Sequence, residues 1–247
     1  MDLEVTTLAA RPELGELLYD FPDAWPEFMD HDPESLLYYN LVKTHYAEFV
    51  VLVVDRDRPE RLAAKGFTVP FTWDRDELPD AGWDEVIRRS AYDLMLGRRG
   101  DKISALEACV QKDLRGTGLS RVVLDAMRHN AGRLGFDRLL APVRPSGKAE
   151  LPDVPMADYA YRVREDGLPV DPWLRVHVRA GGRIVGVAPR SMTFGGSLAE
   201  WREWTGLPFD RTGPVRVPGA LTPVLCEVEH GHAVYVEPNV WVEHTTA

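Results

Sequence analysis

Arg115-Gly116-Thr117-Gly118-Leu119-Ser120 is a glycine turn set between an apolar run and an amphipathic segment. Upstream, Ile103 to Val110 (ISALEACV) reads as a short strand. Downstream, Val122, Val123, Met127, Ala131 and Leu134 recur at helical spacing, and Phe136 to Val143 (FDRLLAPV) reads as the next strand. A strand, a glycine turn and a helix N-terminus in this order make an anion site. The glycines let backbone N–H groups converge, the helix dipole adds partial positive charge, and an arginine opening the turn adds a charge-assisted contact. The ligand this implies carries phosphates, and a diphosphate suits the turn best.

Spacing narrows the choice. No GxxxxGK[ST] run occurs, so the turn is not a nucleotide P-loop. A dinucleotide fingerprint needs a third glycine, and Arg121 stands there instead. Composition sets further bounds. At 247 residues, 45% hydrophobic and 28% charged, the chain is expected to fold as a soluble globular protein with one substantial core. No apolar run approaches a membrane span, and Met1-Asp2-Leu3-Glu4-Val5 lacks the basic and apolar regions of a secretory leader. Cys109 and Cys226 are the only cysteines, which excludes a disulfide framework and suits a reducing cytoplasm. The net charge of −10 argues against nucleic acid as a partner. Of the 29 basic residues only five are lysine, which points to a high-GC, bacterial origin.

The segment from Val110 to Ser120 (VQKDLRGTGLS) resembles motif A of the GNAT acyltransferase superfamily, R-x-x-G-x-(Gly/Ala), with its lead-in V-x-P-x-x-R-G. Lys112 replaces the proline and Ser120 the final small residue. The resemblance covers residues 103–143 and 173–188. It implies that Arg115, Gly116, Thr117, Gly118, Leu119 and Ser120 grip the pyrophosphate of acyl-coenzyme A. It further implies a bulge around Ala108, Cys109 and Val110 whose backbone N–H faces the thioester carbonyl. The expected fold is α/β (α+β), a mixed and mostly antiparallel sheet flanked by helices. The strands at 103–110 and 136–143 would splay to admit the pantetheine arm.

The rest of the chain is read outward from there. Leu3 to Leu8 and Ala47 to Asp55 are strands, Arg61 to Thr72 is the hairpin partner of the second, and Pro12 to Tyr19 and Pro33 to Tyr46 are helices. An acidic insertion spans about 73–101 and contains an amphipathic helix from Asp84 to Leu96. A proline-rich insertion spans about 144–172, where a fixed surface loop is expected and a mobile lid is the alternative. The C-terminal part, an extension from about 189, carries a short helix around Trp201 to Trp204 and a hairpin turning at Glu229-His230-Gly231-His232. All of this is expected to form one GNAT-like domain.

Acyl transfer to an amine needs a base for the attacking nitrogen, donors for the carbonyl oxygen, and an acid for the departing thiolate. In the family a tyrosine on a later helix supplies the acid. Aligning the glycine of Leu174-Arg175-Val176-His177-Val178-Arg179-Ala180-Gly181 puts His177 in its place, and imidazole titrates near pH 6.5. Tyr159 and Tyr161 are the rival acids. Glu107, on the motif strand, is the candidate base, with a solvent-facing strand carboxylate as the alternative. Cys109 reads as a core residue rather than a nucleophile. Trp83, beside the acidic insertion, is the candidate for shaping the acceptor pocket. His230 and His232 have no third partner at metal-ligand spacing, so no metal is expected. The resulting expectation is direct transfer of an acetyl or other short acyl group to a small amine. The alternatives are a GNAT-like malonyl-coenzyme A decarboxylase or carrier-loading domain, and a non-catalytic acyl-coenzyme A sensor.

Overall fold

Val50-Val51-Leu52-Val53-Val54 is apolar at every position, as a strand covered on both faces must be. In the computed structural model, which describes residues 1–22, 24–39 and 41–246, all five are buried. They belong to β2 (Val50–Asp55), which pairs antiparallel with β1 (Leu3–Thr7) and with β3 (Leu62–Phe71). β3 pairs in turn with β4 (Lys102–Val110), the motif strand. The chain then enters α4 (Leu119–Arg133) and returns as β5 (Arg138–Val143), parallel to β4. The remaining strands are β6 (Arg183–Ser197), β7 (Gly213–Val215), β8 (Val224–Glu227) and β9 (His232–Thr245). Among the described residues nine strands form one sheet in the order β1-β2-β3-β4-β5-β9-β8-β7, with β6 also paired to β9. All pairs but β4–β5 are antiparallel. The mixed, mainly antiparallel sheet is the one expected.

Helices cover both faces. Gly66 turns towards α4, where a Cβ would lie 2.5 Å from the Met127 sulfur, so the missing side chain is what lets α4 seat on the sheet. On the opposite face Phe67 packs against Tyr38 of α1 (Pro33–Tyr39), and Tyr38 stacks on Tyr46, which follows α2 (Val42–His45). The Tyr46 hydroxyl accepts a hydrogen bond from Ser90 of α3 (Gly82–Met95), 2.8 Å away. The acidic insertion is therefore built into the core, with Val86 and Ile87 of α3 fully covered. The helix expected over Pro33–Tyr46 is divided into α1 and α2, and Pro12–Tyr19 winds as a 3₁₀ helix. Residues 47–49 form one further 3₁₀ turn before β2 begins.

The proline-rich stretch is tied down. Lys148 is fully buried, and its ammonium donates to the carbonyls of Leu151, Pro152 and Leu221. α5 (Met156–Ala160) brings Tyr159 to Asp171, and Asp171 also accepts from Gly147 N–H and caps α6 (Pro172–Arg179) through the N–H groups of Trp173 and Leu174. α7 (Leu198–Thr205) opens on a Ser197–Glu200 capping box and buries Trp201. Among the described residues no helix is long and apolar enough to cross a membrane.

Candidate active site

The glycine turn adopts the backbone that its sequence requires. Gly116 and Gly118 have φ of 81° and 93°, in the left-handed region open chiefly to glycine, and Gly118 is the N-cap of α4. No side chain caps that helix and no acid lies in its first turn. A Cβ built on either glycine meets nothing within 4 Å. The glycines thus present backbone polar groups to open space at the positive end of a 15-residue helix, which is what a bound phosphate uses. Arg115 and Ser120 line the cavity that opens beside the turn.

That cavity, of about 720 Å³, follows from the sheet. β4 and β5 pair only at Ile103–Leu139 and Ser104–Leu140, then part, leaving Ala105 to Val110 and Ala141 to Val143 as its walls. Ser120, Met127 and His177 line it from the α4 and α6 side, and Leu36, Tyr39 and Trp83 from the α1 and α3 side. The opening passes through the sheet.

β4 has its bulge at Leu106. Glu107 pairs with Phe67 and Ala105 with Thr68, so Leu106 has no partner in the register, and its carbonyl accepts from the Trp83 indole N–H at 2.9 Å. This corrects the expected bulge at Ala108–Val110, where Ala108, Cys109 and Val110 continue the regular ladder with Gly66, Lys65 and Ala64. The cause is Trp83, which draws the Leu106 carbonyl towards α3. Ala108, Cys109 and Val110 all line the cavity nonetheless.

Glu107 is not the solvent-facing carboxylate of the alternative reading. It is 5% exposed and lies on the face of β4 that looks towards α1. Lys65 lies 3.0 Å from its Oε1, the Cys109 thiol donates to the same oxygen at 2.9 Å, and the Tyr39 hydroxyl donates to Oε2. Burial and the Glu107 charge push the Cys109 thiol and the Tyr39 hydroxyl well above their ordinary ranges. Cys109 is therefore held as a neutral donor, and thiolate chemistry has no support there.

His177 reaches the cavity from α6, with the edge of its ring against Trp173. Its Nδ1 lies 2.9 Å from Nε2 of His244 on β9. Burial, and then His244, lower its pKa from 6.5 to about 3, so it stays neutral at working pH. The expectation that it titrates near pH 6.5 is corrected on that ground: it can exchange hydrogen bonds, but it holds no spare proton. The two tyrosines lie elsewhere. Tyr159 is buried with its hydroxyl on Asp171, and Tyr161 is exposed; neither lines the cavity. Thr117 binds its hydroxyl back to the Leu114 carbonyl, and Leu119 packs in the core.

Sequence reasoning missed Lys65, Tyr39 and His244. Lys65 carried a signal, a lone cation in the apolar run Leu62 to Phe71. His244 carried a weaker one, sharing the inward face of β9 with Val240 and Val242 by alternation. Tyr39 carried none.

No family model matches the chain. An arginine N-acetyltransferase, avaD, from Aspergillus versicolor is 33% identical, with 96% of this chain and 92% of the relative aligned. The loading GNATL domain of CurA from Lyngbya majuscula is similar in fold, with a TM-score of 0.58 at 16% identity over 100% of this chain and 98% of that one. The GNAT-like decarboxylase GphF, solved in complex with isobutyryl-CoA, also has a TM-score of 0.58, at 15% identity over the whole of both chains. With the sheet that parts after Ser104, the uncapped helix behind the glycine turn and a relative matched over nearly all its length, the chain belongs to the GNAT superfamily as an acyl-coenzyme A-dependent N-acyltransferase.

Proposed function

We propose that the chain transfers an acetyl group from coenzyme A to the nitrogen of a small cationic amine of the arginine class, by direct attack. The observation that carries this is the single cavity running through the sheet from the glycine turn to the Glu107 cluster. It places the Arg115 and Ser120 end of the turn and the Glu107 cluster on one space. Residues 115–120 hold the pyrophosphate at the start of α4, and Ala108, Cys109 and Val110 flank the arm. The acceptor enters on the α1 and α3 side, where Trp25, Tyr39 and Trp83 supply aromatic walls and Asp30 a carboxylate. Aromatic faces with an acid at the rim suit a cation. The arginine specificity of the Aspergillus relative supports the same class.

Acyl-coenzyme A supplies, when bound, the activated thioester carbonyl. Glu107, paired with Lys65 at 3.0 Å, accepts the proton released by the attacking nitrogen, directly or through a water. The backbone N–H groups at the Leu106 bulge stabilise the negative charge that develops on the carbonyl oxygen. His177 donates a hydrogen bond to the departing sulfur. The proton taken by Glu107 returns to solvent, which balances the one gained by the released thiol.

The test is acetyl-coenzyme A offered with arginine, agmatine, lysine and an uncharged amine, product being read by mass spectrometry. Acetylation of the guanidine-bearing compounds in preference to the uncharged amine is expected. Turnover of the uncharged amine alone would sink the acceptor assignment. Direct attack also requires that Cys109→Ala remain active with intersecting initial-velocity plots. Parallel plots in the wild type, with complete loss in a folded Cys109→Ala, would establish a covalent acyl-enzyme instead.

A further inference from the structure

Arg144 lines the cavity and has no task in the transfer step just described. It follows β5 directly, and its guanidinium is fastened along one edge. Nε donates to Oε1 and Oε2 of Glu237 at 3.1 and 3.0 Å, and Nη2 donates to the Gly219 carbonyl at 2.6 Å. Glu237 is fully buried, and the Tyr235 hydroxyl and the Asn239 amide also donate to it, at 2.7 and 3.1 Å. Three side chains thus fill the carboxylate, and the plane of the guanidinium is set. The third nitrogen, Nη1, takes part in none of these bonds. Nor is it sealed in: the Arg144 side chain is 17% exposed, and the buried side-chain atoms left without a partner among the described residues belong to Asp32, Tyr38, Asp84, His177 and His244. With Nε and Nη2 committed, Nη1 is the polar atom that Arg144 offers to the cavity.

The network lies on the acceptor side of the sheet. Val240 and Val242 of β9 pack with Leu174 of α6. Tyr235 instead packs on Phe28, and the Trp241 indole donates to the Pro79 carbonyl, just ahead of α3. Arg144 is joined to Tyr235 through Glu237 and so belongs to this second face. Gly219 ties it to the same region, since a Cβ there would lie 2.7 Å from Pro26, the neighbour of Trp25 in the cavity wall. A buried ion pair is a weak stabiliser compared with an apolar pair of similar size. What this one does supply is a guanidinium oriented in advance. Its free nitrogen carries N–H donors and no acceptor, so it turns away a cation and suits a carboxylate.

We propose that Arg144 reads the carboxylate of the acceptor, so that the chain acts on a free amino acid in preference to the corresponding decarboxylated amine. This rests on the acceptor reading given above, which assigns the cationic end to the wall of Trp25 and Asp30 and leaves the other end of the molecule unassigned. In an acceptor of the arginine class that other end is a carboxylate. Glu237, Tyr235 and Asn239 are positioning residues, which act only by holding Arg144.

The test is calorimetric titration of the coenzyme A-saturated protein with arginine and with agmatine, which differ by the carboxylate. It is run on wild type and on Arg144→Lys, whose ammonium can still pair with Glu237 but has no second nitrogen for the cavity. Arg144→Met/Glu237→Gln removes both charges and covers the case of a lysine variant that does not fold. Wild type should bind arginine about 10–10²-fold more tightly than agmatine, the fold-change of one charge-assisted hydrogen bond. Both variants should lose that preference, while their affinities for agmatine and acetyl-coenzyme A change little. Equal wild-type affinities, or a preference that survives in the folded variants, overturns the proposal. So does a variant that weakens malonyl-coenzyme A instead of arginine, which would set Arg144 against a carboxylate on the donated acyl group. Failure of the transfer reading is read separately. A preference for arginine that depends on Arg144, with no acetylated product by mass spectrometry, upholds the carboxylate site and overturns the transfer.

Discussion

Glu107→Gln is expected to lower kcat by about 10²–10⁴-fold, the range spanned by loss of a general base. Coenzyme A binding should be preserved, because Glu107 lies on the α1 face of β4 while the glycine turn lies at the start of α4. The amide is nearly isosteric, and its oxygen can still accept from Tyr39. It cannot neutralise Lys65, which is buried and sits 3.0 Å from the carboxylate. Stranding a buried charge in this way costs about 3–5 kcal/mol, so the variant should also melt earlier. The double variant Lys65→Met/Glu107→Gln separates the two effects. Removing both charges restores most of the stability but none of the activity. If stability and turnover returned together, Glu107 would be a structural partner of Lys65 and the base would lie elsewhere. A Glu107→Gln protein that turned over at the wild-type rate would lead to the same conclusion.

The second large effect is expected at the turn. Arg115→Glu should weaken coenzyme A binding by about 10²-fold or more, read by calorimetry. A charge-assisted hydrogen bond to phosphate contributes about 1.5–3 kcal/mol, each 1.4 kcal/mol is tenfold in affinity, and the new carboxylate adds repulsion. Arg115→Ala should show only the first part, about tenfold. The wild-type affinity should fall with added salt, and the Arg115→Ala affinity less steeply. Equal affinities for wild type and Arg115→Glu, with the fold intact, would leave the turn a mere helix start and remove the anchor for the donor.

The two sites differ in how far the chain announces them. The glycine turn is local. Strand, glycines, arginine and helix follow one another within about thirty residues, and left-handed φ at Gly116 and Gly118 is a demand that each position makes alone. The Glu107 cluster is not local. Glu107, Lys65 and Tyr39 come from three separate elements, and Glu107 is as consistent with a solvated strand as with a buried base until β3 and α1 are seated beside it. The bulge moved for a related reason. Nothing near Leu106 marks it, and the indole that draws its carbonyl belongs to a helix that precedes it by more than twenty residues.

The period of the apolar residues placed strand, turn and helix around residues 103–143, and the resemblance of that stretch to the GNAT motif pointed to the superfamily and its mixed sheet, because both depend on residues close in sequence. The Leu106 bulge, the neutral state of His177 and the partnership with His244 were decided only by tertiary structure. β9 returns from the C-terminal end of the chain to lie beside β5, and that pairing brings two imidazoles 67 positions apart to 2.9 Å in a space without water-like screening. Burial and long-range pairing set the charge there, and neither is written in the local order of residues.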